Sequence, residues 1–572
     1  MVTNARQPLP TWRDFIALGW LTTTDHKRIG VMFIAVGVVM AAAVGIPALL
    51  LALDLDHAPF GLLDQFAFEQ VWLLQSTGAV FAVGLPIALG LASAVAPLQI
   101  GARRLVWPQL NALGFWILLG GVLLMMASPA AGDAEALDPS AEELALAAPL
   151  SEQGRDFWVL GLILVGLGAS LTGVALLATI VRGRAPGMTV ANLPMLAWAS
   201  ALFAVATVAS ALLVGIVGAV FLADAGAATA FPFDVVGTDG EVLAFYANPF
   251  WFFANPFLYA LFIPVIGAIS ELLPVLGRTT LRGRGLVIAG MVGVALLAVL
   301  LALFHAIAAA FSRSVDDELP MASFILLIPL GLCVLAWVAT LRAGAVSPAS
   351  PATPSTGLCR LLSPLERAVR PAPPAILAVG TVVVLALGTA LALALGFPGD
   401  YNDPASFHVT AQFQGMLGGA LALGLLAGLH YWFPKLTGRA LDPCPARLQA
   451  ILAVVGATMV LCGQHVLGES SLGRGLSSGL AGEWSSGAQT GSAIVLAGFL
   501  LLFFGFAGFI AEALKSLMWG KRVGNDPWEG ATLEWYTSSP PPPDNFPGGL
   551  PEVRTARPLA DLRRRHSRPG HG

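Results

Sequence analysis

Long apolar runs alternate with short polar segments along the whole chain, and their length predicts membrane-spanning helices. A helix needs roughly 20 consecutive apolar residues to cross a hydrocarbon core of ~30 Å. Twelve runs meet this requirement, and each ends in charged or Pro-, Gly- and Ser-rich sequence. The predicted spans are 29–53, 71–100, 107–129, 157–181, 193–222, 249–276, 286–312, 320–341, 374–397, 408–434, 446–467 and 491–517. The pattern therefore predicts an all-α, polytopic membrane protein.

The composition agrees with this fold class and excludes several functions. Hydrophobic residues make up 56% of the 572 residues and charged residues only 11%. Soluble domains carry about a quarter charged residues, so a soluble globular protein is excluded. The net charge of −4 provides no basic surface for a polyanion, and we expect no nucleic-acid partner.

The distribution of basic residues predicts which side of the membrane each loop faces. With the N-terminus placed inside, only Arg155, Arg313 and Arg474 of the 30 Lys and Arg fall on the outer side, which leaves 27 inside. Inner loops of membrane proteins are enriched in Lys and Arg. Both termini are therefore predicted to be cytoplasmic.

The chain divides into three regions. Residues 1–28 are a cytoplasmic N-terminal segment in which FIALGW (15–20) resembles an interfacial helix. Residues 29–517 form the twelve-span membrane domain. Residues 518–572 are a Pro-rich tail that ends in the basic run RRRHSR, and we expect it to be disordered and to face the membrane.

Six local strings closely resemble subunit I of the haem–copper cytochrome c oxidases, and the resemblance covers nearly the whole chain in order. They are TTTDHKRIG (22–30), PLQIGARRLVWPQLNALGFW (97–116), RAPGMT (184–189), FWFFANPFLYALFIPVIGAISELLPV (250–275), GLHYWFPKLTGR (428–439) and NDPWEGATLEWYTSSPPPPDNF (525–546). The resemblance implies the twelve-span cytochrome c oxidase subunit I fold with both ends inside. It also implies a bacterial inner (plasma) membrane.

The resemblance implies six histidine ligands, and this chain departs from that set. In the family, two histidines hold a low-spin haem, a third holds a high-spin haem, and three more hold copper. The chain has eight histidines, and only His305 and His408 fall within or near the body of a span. The low-spin haem positions are Gln75 and Gln414, the high-spin position is Gln412, and the copper positions are Asn255, Phe304 and His305. One ligand of six remains.

The residues of the family's proton paths are also replaced. Phe257, Arg104 and Cys333 stand where the family has a glutamate, an aspartate and a lysine. Ala405 stands where the family has an aspartate that helps bind magnesium, whereas the tyrosine position survives as Tyr259. We therefore expect no catalytic residue, no metal ligand, and neither haem nor copper. Lipid or quinone would then occupy the space that haem fills in the family.

The replaced positions also have structural interpretations. Gln75, Gln412 and Gln414 are predicted to hydrogen-bond one another across helices, since buried amides join membrane helices. Phe257 and Phe304 are predicted to fill part of the space that haem would occupy. His305 is interpreted as a core histidine and His408 as a histidine near the outer membrane surface.

Three functional hypotheses follow. The leading one is a non-catalytic scaffold or docking subunit of an aerobic respiratory complex. Its partners would be subunit II-like and III-like chains or an intact subunit I, together with membrane lipid. The second is a catalytic terminal oxidase that reduces oxygen with cytochrome c electrons through unrecognised ligands. The third, a transporter or proton leak, is weaker because the spans lack buried charges.

Overall fold

The protein is described from a computed structural model that covers ten stretches of the chain. They are residues 19–56, 62–63, 65–131, 150, 152–223, 247–310, 318–344, 372–395, 407–469 and 486–567. Within these stretches, twelve helical spans are long and apolar enough to cross a membrane. The predicted all-α, twelve-span architecture is confirmed.

Fifteen α-helices are used as landmarks below. They are α1 (His26–Asp56), α2 (Gln65–Thr77), α3 (Leu85–Gln99), α4 (Pro108–Ala127), α5 (Glu152–Arg182), α6 (Met195–Ala223), α7 (Ala247–Leu276), α8 (Arg284–Ala310), α9 (Glu318–Ala343), α10 (Pro373–Leu395), α11 (Phe407–Thr410), α12 (Gly419–Thr437), α13 (Pro443–Glu469), α14 (Ser486–Trp519) and α15 (Pro558–Ser567).

Two spans contain π-helical segments. One segment, Gly78–Gly84, joins α2 to α3, and the other, Ala411–Gly418, joins α11 to α12. A π-helix places an extra residue in each turn, so the side chains beyond it are rotated about the helix axis. The hydropathy pattern predicts each of these spans as one helix and does not reveal the irregular turn.

Three spans lie mostly buried at the centre of the bundle: Gln70–Gln99, Ala254–Leu276 and Phe407–Thr437. The first and last spans, α1 and α14, lie mostly exposed at the periphery. Large apolar side chains such as Leu500 and Phe504 point outward from α14, where lipid would cover them. The polar replacements named above fall on the central spans, and the bundle therefore buries them.

Residues 520–567 fold against one end of the bundle, which we call the tail side. Leu533, Trp535 and Phe546 of this segment are buried, and the Trp528 indole donates to the backbone oxygen of Tyr431 at 2.9 Å. The expectation of a disordered tail is therefore wrong over these residues, because buried aromatic side chains anchor a Pro-rich chain that has little regular structure. Most of the predicted interfacial helix at 15–20 lies outside the described residues.

Candidate functional site

A chain of three glutamines links three spans in the interior. The Gln414 side chain, in the π-helical segment after α11, donates to Gln75 Oε1 on α2 at 3.0 Å. Gln464 on α13 donates to Gln414 Oε1 at 2.9 Å. We call Gln75, Gln414 and Gln464 the amide triad. The structure thus contains the bond expected between Gln75 and Gln414 and adds Gln464, a partner that the sequence analysis did not identify.

A glycine permits the close approach that the amide triad requires. A Cβ atom at Gly415 would lie 2.7 Å from the Cα atom of Leu461 and 2.9 Å from Gln464 Oε1. Contacts this short do not occur between real side chains, so a larger residue here would push α13 away. Gly415 therefore sets the spacing at which Gln414 and Gln464 meet.

The remaining replaced positions do not join the amide triad. Gln412 and Asn255 are almost fully buried. Among the described residues, Gln412 Nε2 and both side-chain polar atoms of Asn255 have no hydrogen-bond partner. The prediction that Gln412 bonds the other two glutamines is not met, because its amide nitrogen is unpartnered.

The aromatic residues predicted to fill space differ in their positions. Phe257 is fully buried and packs edge-on against Phe81, with ring centroids 5.2 Å apart. Phe304 is 39% exposed, so the prediction that it closes an interior space is wrong. It lies on the outward face of α8, where helical periodicity directs it away from the core. The backbone of His305 follows in α8, but its side chain lies outside the described residues.

A small cavity borders the amide triad. Its volume is only about 20 Å³, which is room for about one water molecule. Its wall combines the three glutamines with Trp72, Thr410 and apolar side chains of α1 and α14. The wall is therefore mostly apolar, with the glutamines of the amide triad as its main polar groups.

A hydrogen-bonded network on the tail side ties the C-terminal segment to the bundle. Asn545 donates to the Ala102 oxygen at 2.7 Å and to His26 Nε2 at 3.0 Å, and it accepts from Lys27 Nζ at 2.9 Å. The opposite ring nitrogen of His26 donates to the Ser93 oxygen at 2.8 Å. Every polar atom of the Asn545 side chain is thus used.

Lys435, at the end of α12, anchors the same segment through its ammonium group. Its Nζ donates to the backbone oxygens of Asn525, Thr537 and Ser538 at 2.9, 2.9 and 3.3 Å. The same ammonium lies 5.2 Å from the ring centre of Trp535, a distance at which a cation attracts an aromatic face.

Glu534 is fully buried beside this lysine. Its Oε1 accepts from Gln99 Nε2 at 3.0 Å and from Trp432 Nε1 at 3.5 Å. Burial raises the pKa of the Glu534 carboxyl, since the charged form loses its hydration. We call Lys435, Asn545, Glu534 and their partners the tail-side network.

Two histidines meet at the opposite end of the bundle. His408 in α11 and His465 in α13 are each 4% exposed, and their Nδ1 atoms lie 3.3 Å apart. The carboxylate of Glu469 lies 3.8 Å from His408 Nε2. His408 lies at the start of its span, and its interpretation as a histidine near the outer membrane surface stays a prediction, whereas His465 was not predicted as a partner. The adjacent polar pair Gln464–His465 inside an apolar run was the available signal.

These features define the class: a twelve-span α-helical membrane protein whose central spans place amide side chains in the buried interior. A family sequence model described as "Cytochrome C and Quinol oxidase polypeptide I" matches residues 28–478. The chain belongs to this family.

Individual relatives agree with the family assignment. The chain is 31% identical over 550 residues to cytochrome c oxidase subunit 1 of Bacillus subtilis, covering 94% of this chain and 82% of that protein. It is 30% identical over 578 residues to cytochrome c oxidase subunit 1 of Corynebacterium diphtheriae, covering 98% and 95%. A cryo-EM structure of a heme-copper terminal oxidase dimer superposes with a TM-score of 0.67 at 15% identity, covering 91% of this chain and 89% of that one.

Family membership contradicts the prediction that haem and copper are absent. The family is that of the haem–copper oxidases, and the superposed structure is described as a heme-copper terminal oxidase. The prediction rested on six side chains alone. Haem binding also draws free energy from burial of the large apolar macrocycle, which needs no axial ligand. We therefore withdraw the prediction that cofactors are absent, and with it the prediction that lipid or quinone replaces them.

The side chains at the ligand positions nevertheless do not fit imidazole ligation. The Gln414 amide already donates to Gln75 and accepts from Gln464. An amide oxygen is a weak, neutral donor compared with the imidazole nitrogen that haem iron and copper prefer. Gln412 and Asn255 supply amides as well. We therefore assign no reaction step to these positions.

Proposed function

We propose that this chain is a subunit I-type component of an aerobic respiratory oxidase complex that acts as a scaffold or docking subunit. In this proposal the chain does not itself reduce oxygen. The observation that carries the proposal is the amide triad, because Gln414 is engaged by hydrogen bonds on both sides at a family ligand position.

The residues at the family's proton-path positions also favour a non-catalytic role. Phe257 packs against Phe81 in the core, and Cys333 is fully buried among apolar side chains. Arg104 lies exposed on the tail side and pairs with Asp544 at 2.6 Å. None of these three side chains can replace a carboxylate or an amine that carries protons into a buried centre.

The ordered tail side supports a docking role. Lys435 and Asn545 fix a Pro-rich segment against the bundle, so that this segment offers an ordered surface to a partner. We infer from the basic inner loops that this surface is cytoplasmic, and from the resemblance to bacterial relatives that the membrane is a bacterial plasma membrane. Subunit II-like and III-like chains or an intact subunit I are the partners that a subunit I-type fold would contact.

The decisive experiment is purification of the complex through a tag on this chain, followed by oxygen consumption with reduced cytochrome c. We expect a second, histidine-complete subunit I in the complex, with turnover that depends on it. Replacing a haem-ligating histidine of that second chain should abolish turnover. Gln414→Leu in this chain should leave turnover per complex within about twofold, since no reaction step passes through Gln414.

A reduced-minus-oxidised visible spectrum and metal analysis of this chain, separated from other subunits, complete the test. If haem bands are present, we expect them to be unchanged by Gln414→Leu and Gln412→Leu. Oxygen reduction by this chain alone, or haem bands that shift in either variant, would overturn the proposal and identify the chain as a catalytic oxidase.

A further inference from the structure

We propose that His408 and His465 bind one divalent metal ion of the Zn²⁺ type on the side of the bundle opposite the tail. This proposal is independent of the proposed function, because it concerns no family ligand position and no oxygen chemistry. Its basis is the way in which the two imidazole rings face each other.

The arrangement differs from that of the other buried histidines. Nδ1 of His26 lies 2.8 Å from the Ser93 oxygen, and Nδ1 of His430 lies 2.8 Å from the Leu426 oxygen. Each of those rings therefore uses Nδ1 to donate to the backbone. His408 and His465 instead direct their Nδ1 atoms at each other, with the rings inclined by 44° and their centroids 5.6 Å apart.

The separation of the two nitrogens suits a tetrahedral metal ion. Zinc binds imidazole nitrogen at about 2.0–2.1 Å, so two such bonds at a tetrahedral angle place the nitrogens roughly 3.3 Å apart. The Nδ1 atoms of His408 and His465 lie 3.3 Å apart. A linear two-coordinate ion such as Cu⁺ would need about 4 Å between the same atoms. The geometry therefore favours a divalent ion with a tetrahedral preference.

Glu469 lies where it can orient one of the ligands. Its Oε1 is 3.8 Å from His408 Nε2, and its side chain is 62% exposed and can rotate closer. A carboxylate that accepts the Nε2 proton leaves the lone pair on Nδ1, which is the usual carboxylate–histidine–metal arrangement. The exposed carboxylate also adds negative charge beside the site.

Close packing holds His408 in place. A Cβ atom at Gly468 would lie 2.6 Å from the ring atoms of His408, so only glycine lets α13 pass this close to the imidazole. Within the described stretches, no three His, Cys, Asp or Glu side chains are grouped to hold a metal ion. The site would thus supply two protein ligands, with water completing the coordination.

The test is a Zn²⁺ titration of the full chain in detergent after chelator treatment, with a tag that contains no histidine and a competing chromogenic indicator. We expect one Zn²⁺ per chain, and an affinity at least tenfold lower in His465→Gln. Gly468→Ala retains both histidines but displaces the His408 ring, and it should weaken binding several-fold. The double variant His566→Gln, His571→Gln removes tail histidines that could bind zinc at random, and it should change nothing.

Pulsed EPR on the wild-type chain loaded with one Cu²⁺ avoids any folding defect of the variants. Coupling to two imidazoles is the expected result. Coupling to one imidazole or to none, the absence of stoichiometric zinc, or unchanged affinity in His465→Gln would each overturn the proposal. In each case the two histidines would be only a hydrogen-bonded pair.

Discussion

Lys435 and Asn545 in the tail-side network differ from Asn255 at the centre of the bundle in how completely their buried polar atoms are hydrogen-bonded. On the tail side, Lys435 and Asn545 use all their side-chain donors, and the acceptors are mainly backbone oxygens. At the centre, the amide triad is bonded, whereas Asn255 makes no side-chain hydrogen bond to any described residue. The two regions therefore differ in what a single substitution would leave behind.

The difference arises because removing one member of a buried hydrogen bond lowers the free energy of unfolding, whereas removing an unpartnered polar group does not. Removing one partner of a buried hydrogen bond leaves the other unsatisfied, which costs about 1–3 kcal/mol. Removing a polar group that has no partner eliminates a desolvation penalty instead. Substitutions that remove the fully bonded Lys435 or Asn545 should therefore destabilise the protein, and those at the unpartnered central positions should not.

The largest effect is expected for Lys435→Met. The change leaves three backbone oxygens without a donor and Glu534 without its nearby cation, so we expect a loss of about 3 kcal/mol or more. Thermal unfolding in detergent should show a lower midpoint, and trypsin should cleave the tail segment faster. Lys515→Met is the control, since Lys515 is half exposed and its ion pairs contribute less than about 1 kcal/mol. Equal effects of both variants would contradict the comparison.

Gln414→Leu should have an intermediate effect. It removes the middle member of the amide triad and leaves Gln75 Oε1 and Gln464 Nε2 without their partner. Interhelical hydrogen bonds in membranes contribute about 0.6–2 kcal/mol each, so the variant should lose roughly 1–3 kcal/mol. The unfolding midpoint in detergent measures this loss. An unchanged midpoint would show that the triad does not join its three helices.

Asn255→Leu is expected to change the stability of the protein in the opposite direction from Gln414→Leu. Leucine has the same number of side-chain heavy atoms and the same branch point as asparagine, and neither polar atom of Asn255 has a hydrogen-bond partner among the described residues. We expect a gain of up to about 1 kcal/mol, measured beside Gln414→Leu in the same detergent. A loss as large as that of Gln414→Leu would reveal a polar partner, and the two regions would then not differ.

The sequence predicts the membrane fold well because length and hydropathy are local properties. The first predicted span, 29–53, lies within α1, and all twelve spans are present. The bond between Gln414 and Gln75 was also predictable, since two amides on neighbouring buried helices need partners. The first prediction required only the length and hydropathy of the apolar runs, and the second also required the resemblance to a known fold.

The missed features depend on contacts between segments that are distant along the chain. Gln464 meets Gln414 only because a π-helical turn and Gly415 bring α13 close. The tail segment appears disordered from its Pro-rich composition, yet Lys435 holds it through backbone oxygens some 90 residues or more away. The cofactor prediction failed for a related reason, because it considered axial ligands and left out the contacts of the whole fold.

The smallest effect, and the one that tests the electrostatics of the tail side, is expected for Glu534→Gln. Burial raises the pKa of Glu534, so the folded protein keeps this proton to a higher pH than the unfolded chain does. The protonated carboxyl therefore contributes stability that is complete below the unfolded pKa, roughly pH 4, and is lost as pH rises through the folded pKa. The variant cannot ionise, so its unfolding midpoint should equal that of the wild type in acid and exceed it by a few degrees at pH 8.

Glu529→Gln is the control for the pH series, because Glu529 is exposed and pairs with Arg278 at the surface. Its midpoint should stay close to that of the wild type throughout the series, since an exposed ion pair contributes less than about 1 kcal/mol. A Glu534→Gln variant that is less stable than wild type at pH 8 would mean that attraction between Lys435 and the Glu534 carboxylate outweighs the desolvation of that carboxylate. The tail side would then be stabilised by a buried ion pair. The two regions would in that case differ in charge as well as in hydrogen bonding, because the central side chains are neutral amides.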